Sequence, residues 1–362
     1  MSNQFEKNVG GESSSPTPLN IRKENFGPLA DIAFITVMLA AMILSICAGS
    51  VSIHPAETLS LIWKAITRQT IEAGASSSII LSVRLPRVLC VALSGAALSI
   101  CGGAMQGLLK NPLADGSTLG VSSGASLGAV IAIAFGITIP GLPFDGSMIL
   151  AILFAFLSLM IILSLAYKLD YSLATNTIIL IGVIFSMFVN SVLNLIITFA
   201  SDRVKEITFW TMGSLVGSSY ENVLVLLIAL LICGTIILRY SRELNAFAIG
   251  EENAQHIGVD VKKVKMVIMI AVSALIGVCV SIGGTIGFVG LVTPHMVRMI
   301  VGPNHKRLLP ASIFGGATFL MLADLVARIL LNPLELPIGV VTSFVGALLF
   351  IYIFYQTRRG EQ

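Results

Sequence analysis

Charge is scarce in this sequence. Lys, Arg, Asp and Glu make up 11% of its 362 residues and hydrophobic residues 56%, which excludes an ordinary soluble domain. Cysteine is sparse as well: Cys47, Cys90, Cys101, Cys233 and Cys279 are scattered through apolar stretches without CxxC spacing. They read as buried free thiols behaving as small hydrophobes, not as a disulfide framework or a metal site. No Gly-Lys-Ser/Thr phosphate loop occurs, so the chain has no Walker-type site in which to cradle ATP. No His/Cys/carboxylate cluster has metal-ligand spacing, and no nucleophile–base pair can be nominated. The chain is therefore expected to carry no catalytic site and to bind no cofactor or metal. A cleaved signal peptide is not expected either, because the first apolar run starts late and is long enough to span.

Long apolar runs are what the sequence has instead. A helix crossing the hydrocarbon layer needs about 20 mostly apolar residues. Runs at roughly 29–49, 88–109, 118–137, 147–167, 176–200, 222–239, 266–284, 309–328 and 338–356 qualify. A tenth, 286–301, is short and interrupted by Gly, Pro, His and Arg. Unbroken runs of this length exclude barrel strands, since each backbone amide must pair within its own segment. The expected fold is all-α: a polytopic membrane protein of about ten transmembrane helices over residues 28–362. Residues 1–27, rich in Ser, Asn, Gly and Pro, are expected to be a disordered tail. With both termini on one side, that side collects most of the 22 Lys and Arg, so the positive-inside rule puts both termini in the cytoplasm. The charged stretch GEENAQHIGVDVKKVK (250–265), set between two spans, falls on the same side. Residues 55–71, with Leu59, Ile62, Trp63 and Ile66 at helical spacing, and residues 202–215 are expected at the outer interface.

Small and polar residues within the spans add detail. Gly120, Gly124 and Gly128 recur one turn apart and predict close helix packing, with Gly102–Gly103 and Gly283–Gly284 serving the same end. Gly287 and Gly290 point to a broken or bent helix. Asn190 and Asn194 share one face of the fifth span; either they bond a neighbouring helix or they line a water-filled path. Asp324 and Arg328, spaced i and i+4, are positioned to pair with each other. His295 reads as a structural histidine satisfied by a nearby carbonyl rather than as a proton relay.

Several stretches carry a resemblance: RLPR (84–87), GAMQGLLKNPLADGSTLGVSSGAS (103–126), WTMGSL (210–215), GEENAQHIGV (250–259), GFVGLVTPHMVR (287–298) and ELPIGVV (335–341). In this order they resemble the permease subunits of the iron–siderophore, haem and vitamin B12 class of ATP-binding-cassette importers. The match runs from the first span to the C-terminus, and Gly116 departs from it in a loop where proline is expected.

The resemblance implies a bacterial plasma-membrane importer subunit of the type II fold, paired with an identical or paralogous permease. It further implies two cytoplasmic ATPase subunits that use ATP and Mg, an external substrate-binding protein, surrounding lipid and no nucleic acid. The segment at about 240–265 looks like the one that docks on the ATPase, through Glu251, Glu252, Ala254, His256 and Gly258. A bulky residue at Ala254 is expected to overfill the partner's groove. Arg84, Arg87 and Arg328 look like outer docking points for carboxylates of the binding protein. Thr175 and Asn176 are similar to a cytoplasmic gate. The implied ligand is a ferric siderophore, with haem or a corrinoid as alternatives, moved by alternating access. The rival reading, an ion-coupled secondary transporter, wants a buried carboxylate near the midplane, and Asp324 lies toward the outer end instead.

Overall fold

The runs of apolar residues all become helix, as backbone groups without water must. A computed structural model of the chain describes residues 27–49, 53–70, 74–139, 145–171 and 173–360. The tail expected to be disordered lies outside these, apart from Gly27. In chain order the helices are α1 (Gly27–Cys47), α2 (Pro55–Ile66), α3 (Ala75–Leu109), α4 (Val121–Phe135), α5 (Gly146–Leu169), α6 (Thr175–Phe199) and α7 (Val204–Thr211). They continue with α8 (Tyr220–Arg239), α9 (Ser241–Ala248), α10 (Glu251–His256), α11 (Val261–Gly283), α12 (Val289–Val301), α13 (His305–Ile329) and α14 (Ile338–Gly360). Seven of them, α1, α3, α5, α6, α8, α11 and α13, are long and apolar enough to cross a membrane. Three further apolar stretches are shorter: α4, α12 and the Ile338–Ile353 part of α14. Together these ten coincide with the ten runs read from the sequence, and among the described residues no strand forms.

Helix α3 is the hub. It is buried along most of its length and packs against α13, α12, α11 and α8. Its crossing with α13 is close because Gly95 faces Gly316: a Cβ on either would run into the other's carbonyl oxygen. Gly124 and Gly128 likewise let α4 lie against α5, whereas Gly120 sits just ahead of α4 rather than on its packing face. The rim of the bundle is apolar outward: Leu153 and Phe156 of α5, Ile184 and Met187 of α6, and Leu231 and Ile232 of α8 are exposed. Such faces suit lipid, which is as apolar as leucine.

The structure departs from the sequence reading at α3. The expected span began at 88, with RLPR in the loop before it; instead the helix starts at Ala75 and takes in both arginines. A π-helical stretch, Ile79–Arg84, gives way to α-helix where Pro86 sits in the first turn. A proline has no N–H to give to the preceding turn, and the Leu81 carbonyl five residues back accepts from the Tyr220 hydroxyl at 2.6 Å. The interrupted segment is broken as expected: α11 ends at Gly283, and α12 begins at Val289 with Pro294 inside it.

Gly316→Leu should overpack the α3–α13 crossing and cost about 1–3 kcal/mol. Thermal unfolding of the detergent-solubilised protein checks this, with Tm several degrees below that of the parent as the expected outcome.

Candidate functional site

Two polar constellations lie at opposite ends of the bundle. At one end, α9 and α10 form a short two-helix insert between α8 and α11. Leu244 and Phe247 bury one side of α9, and Asn245 ties it to the start of α13, where its Oδ1 accepts from the His305 N–H at 2.8 Å. Glycines bracket α10 because the chain must reverse there: Gly250 has φ +112° and Gly258 φ +91°. Beyond α10 the Val259 N–H donates to the Ala254 carbonyl and the Gly258 N–H to that of Gln255, a Schellman closure.

The exposed tip of this insert carries Ile249, Glu252, His256 and Ile257, the last 64% exposed. Ala254 does not belong to it. Its exposure is 0%, and it packs into the chain's own core, so the expected overfilling of a partner's groove is corrected: bulk at 254 would displace α10 itself.

Glu251 turns the other way. Its Oε2 lies 2.7 Å from Nζ of Lys265, a lysine with 0% exposure in α11, and Nζ also donates to the Leu173 carbonyl at 2.9 Å. Glu251 Oε1 accepts from the Thr175 hydroxyl at 3.1 Å, at the first residue of α6. The residue read as part of a coupling surface and the one read as part of a gate therefore touch, while Asn176 beside them is exposed. Sequence reasoning misses Lys265, although a signal for it exists. It shares a face with Val261, Ile268 and Val272, an apolar stripe in which a lysine needs a partner.

At the opposite end, Arg84, Arg87 and Arg328 meet, at 5%, 7% and 3% exposure. Arg84 Nη1 donates to the carbonyls of Ile46 (3.1 Å) and Cys47 (3.0 Å). Arg328, in the last turn of α13, donates to those of Ala48 (3.2 Å) and Ser45 (2.9 Å). The carbonyls at the end of α1, which has no basic residue in its own last turn, are thus capped by two other helices. Arg87 donates from Nε and Nη2 to Asp324 Oδ1 (3.1 and 2.9 Å) and from Nη1 to Glu335 Oε2 (2.7 Å). The expected Asp324–Arg328 pair is present. Arg328 Nε lies 3.0 Å from Asp324 Oδ2, close enough for attraction, although the N–H does not point at the oxygen. The premise that these arginines offer free forks is corrected, since each is already engaged within the chain. Arg87 and Glu335 alone of the network border a groove of about 460 Å³, which Glu221 and Tyr220 also line.

Between the ends, a cavity of about 290 Å³ is lined by Ser122, Ser123, Ser126, Asp115, Asn190, Thr211 and Thr285. Asn190 thus faces a hydroxyl-rich space, whereas Asn194, also exposed, lies outside it. His295 departs from expectation: its buried Nδ1 has no hydrogen-bond partner. Among the described residues no group of His, Cys, Asp and Glu could hold a metal.

The comparisons with known proteins agree on what this architecture is. The model of the FecCD transport family matches residues 37–356. The chain is 40% identical over 343 residues to the uncharacterised ABC transporter permease protein YvrB of Bacillus subtilis (strain 168), covering 94% of this chain and 97% of that one. It is 35% identical to the cobalamin import system permease protein BtuC of Halobacterium salinarum, over 89% of each chain. A solved structure of a metal-chelate type ABC transporter in an inward-facing conformation superposes with a TM-score of 0.80 at 30% identity, covering 91% of this chain and 99% of that one. Ten apolar helices around a buried hub, a polar two-helix insert and these matches have one reading: the chain belongs to the FecCD transport family and is a multi-pass permease of an ATP-binding-cassette importer.

Proposed function

We propose that the chain forms half of a membrane pathway that takes a metal chelate from an external binding protein to the cytoplasm by alternating access, ATP being hydrolysed in two separate subunits. The observation that carries this reading is the exposed tip of α9 and α10. A polar insert between two spans, held rigidly from below by Leu244, Phe247 and Ala254, presents Ile249 and Ile257 among Glu252 and His256. Apolar anchors inside a polar rim are what a protein-docking surface needs. The ATPase is its occupant in this reading, and both termini share its cytoplasmic side. A ferric siderophore is the first candidate ligand, with a corrinoid or haem behind it. Asn190 faces the pathway, Asn194 flanks it, and Thr175 and Asn176 gate it from the cytoplasm beside a second permease. An ion-coupled transporter is the weaker reading. Among the described residues Asp324 is the one buried carboxylate, and it is committed to Arg87 and Arg328.

Ile257→Asp tests the docking surface, since the side chain is exposed and the change leaves the core intact. The ATPase should fail to co-purify, with transport falling at least about tenfold, which corresponds to 1.4 kcal/mol of lost interface. Retention of the ATPase at the parent's level refutes the assignment.

Docking of the binding protein centres on Arg87 in this reading, because its groove also holds Glu335. A partner's carboxylate competes there with Glu335 for the same guanidinium. Glu335→Gln should therefore tighten binding of the external protein a few-fold, the scale of an ion pair worth about 0.2–1 kcal/mol. Binding to the parent should also weaken as salt rises. Titration of the binding protein onto the reconstituted complex at several salt concentrations checks both, and unchanged affinity in the variant counts against the groove. Charge reversal at Arg84 and Arg328 cannot report docking. It breaks buried partnerships typically worth about 3–5 kcal/mol when one side is removed, and should instead lower the yield of folded protein.

A further inference from the structure

Lys265 is a full positive charge with no exposure, at the foot of a membrane-spanning helix. A buried ammonium is retained only with partners for its donors. Here it has two: Glu251 on α10, at 2.7 Å, and the Leu173 carbonyl on the turn leading into α6, at 2.9 Å. Glu251 closes the circuit by accepting from Thr175 at 3.1 Å. Asp170 is tied to the start of α6 as well. Asp170 Oδ2 accepts from the Ala174 N–H and from the Thr177 hydroxyl, at 3.1 and 3.3 Å, and Leu173 is fully buried. A second cation holds the same place: Lys262 Nζ stands 4.4 Å from the ring centroid of Tyr167 and 3.5 Å from that of Tyr171. The consecutive helices α10 and α11 thus meet the start of α6, 76 positions before Glu251 at Thr175, through one ammonium.

We infer that Lys265 is a positioning residue that locks α10 to the first turn of α6 through Glu251, Thr175 and Leu173. Displacement of the ATPase-facing insert then moves the start of α6 as one body with it. The inference rests on the reading of α10 as an ATPase-docking element. Charge-assisted hydrogen bonds suit such a lock, because they are short and directional. Shielded from water in a low-dielectric setting, they resist opening in a way that an exposed pair does not. The rest of α10 is held by the Ala254 contact and its glycine turns, so among the described residues α6 has no other hydrogen bond to α10.

The test uses the purified permease–ATPase complex in lipid nanodiscs. Cys47→Ser removes the native thiol that is not fully buried, and spin labels are placed at Asn176→Cys and Gln255→Cys, both exposed positions. Double electron–electron resonance then reads the α6–α10 separation without nucleotide and with Mg-ATP. In the parent the distance within one permease should stay single and narrow in both states, distances between the two permeases being identified from the singly labelled proteins. Lys265→Met and Glu251→Ala, which break the bridge from either side, should make the separation nucleotide-dependent and broaden its distribution by about twofold or more, as expected when two elements sample independent states. Thr175→Ser, which keeps the hydroxyl donor, should behave as the parent. Thr175→Val removes only the bond to Glu251 Oε1 and leaves Lys265 joining Glu251 to the Leu173 carbonyl, so it should broaden the distribution less than Lys265→Met does. The inference is overturned if the parent distance itself shifts on adding Mg-ATP, or if Lys265→Met or Glu251→Ala, once folded, keeps the single parent distance. Failure of the docking reading is separately visible, as ATPase still bound to Ile257→Asp, and it would take this inference down with it.

Discussion

A guanidinium needs five donors satisfied wherever water cannot reach it, and three guanidiniums meet at one end of this bundle. They organise everything around them. Helix α1 buries little of its own surface, so its attachment owes much to its terminal carbonyls, which accept from Arg84 and Arg328. Helix α3 can begin a full turn and more before its apolar run because Asp324 and Glu335 neutralise Arg87 inside the protein. Three positive charges against two carboxylates leave a local excess, and the α1 carbonyl dipoles absorb part of it. The network therefore ties α1, α3, α13 and the segment ahead of α14 into one rigid end.

The opposite end is built on a different balance. Its insert is polar and exposed at the tip, and it is anchored from beneath by apolar side chains and by one buried ammonium. The insert is braced within itself and attached to the helices around it. The two glycine reversals that bracket α10 keep it short, and the ties at Asn245 and Glu251 attach it to α13 and α6. Between these ends lie the glycine-mediated crossing of α3 with α13 and the hydroxyl-lined cavity. Tight packing there leaves relative motion to whole helices, since a close-packed interior does not deform continuously.

Much of this was legible in the sequence. The ten apolar runs became ten helices within a few residues, apart from α3. Hydropathy is a local property, and lipid leaves the backbone no alternative to helix. The break before α12, the glycine pair at 124 and 128, the surface helix around Trp63 and the i, i+4 placement of Asp324 and Arg328 were readable for the same reason: each depends on residues a turn or two apart.

Partnerships across the chain were not. Arg87 and Asp324 are 237 positions apart, and nothing local to RLPR says that its charges are neutralised inside rather than held out to a partner. Ala254 lies in a polar stretch, yet it points into the core, because it shares the inward face of α10 with Glu251 one turn earlier. Lys265 joins Glu251 and Thr175 only once α6, α10 and α11 are brought together. The sequence by itself determined the membrane class, the helices and the family, since those follow from short-range hydrophobicity and ordered motifs. The tertiary structure alone decided which charges face one another, because a buried charge takes its partner from whatever the packing puts within about 3 Å.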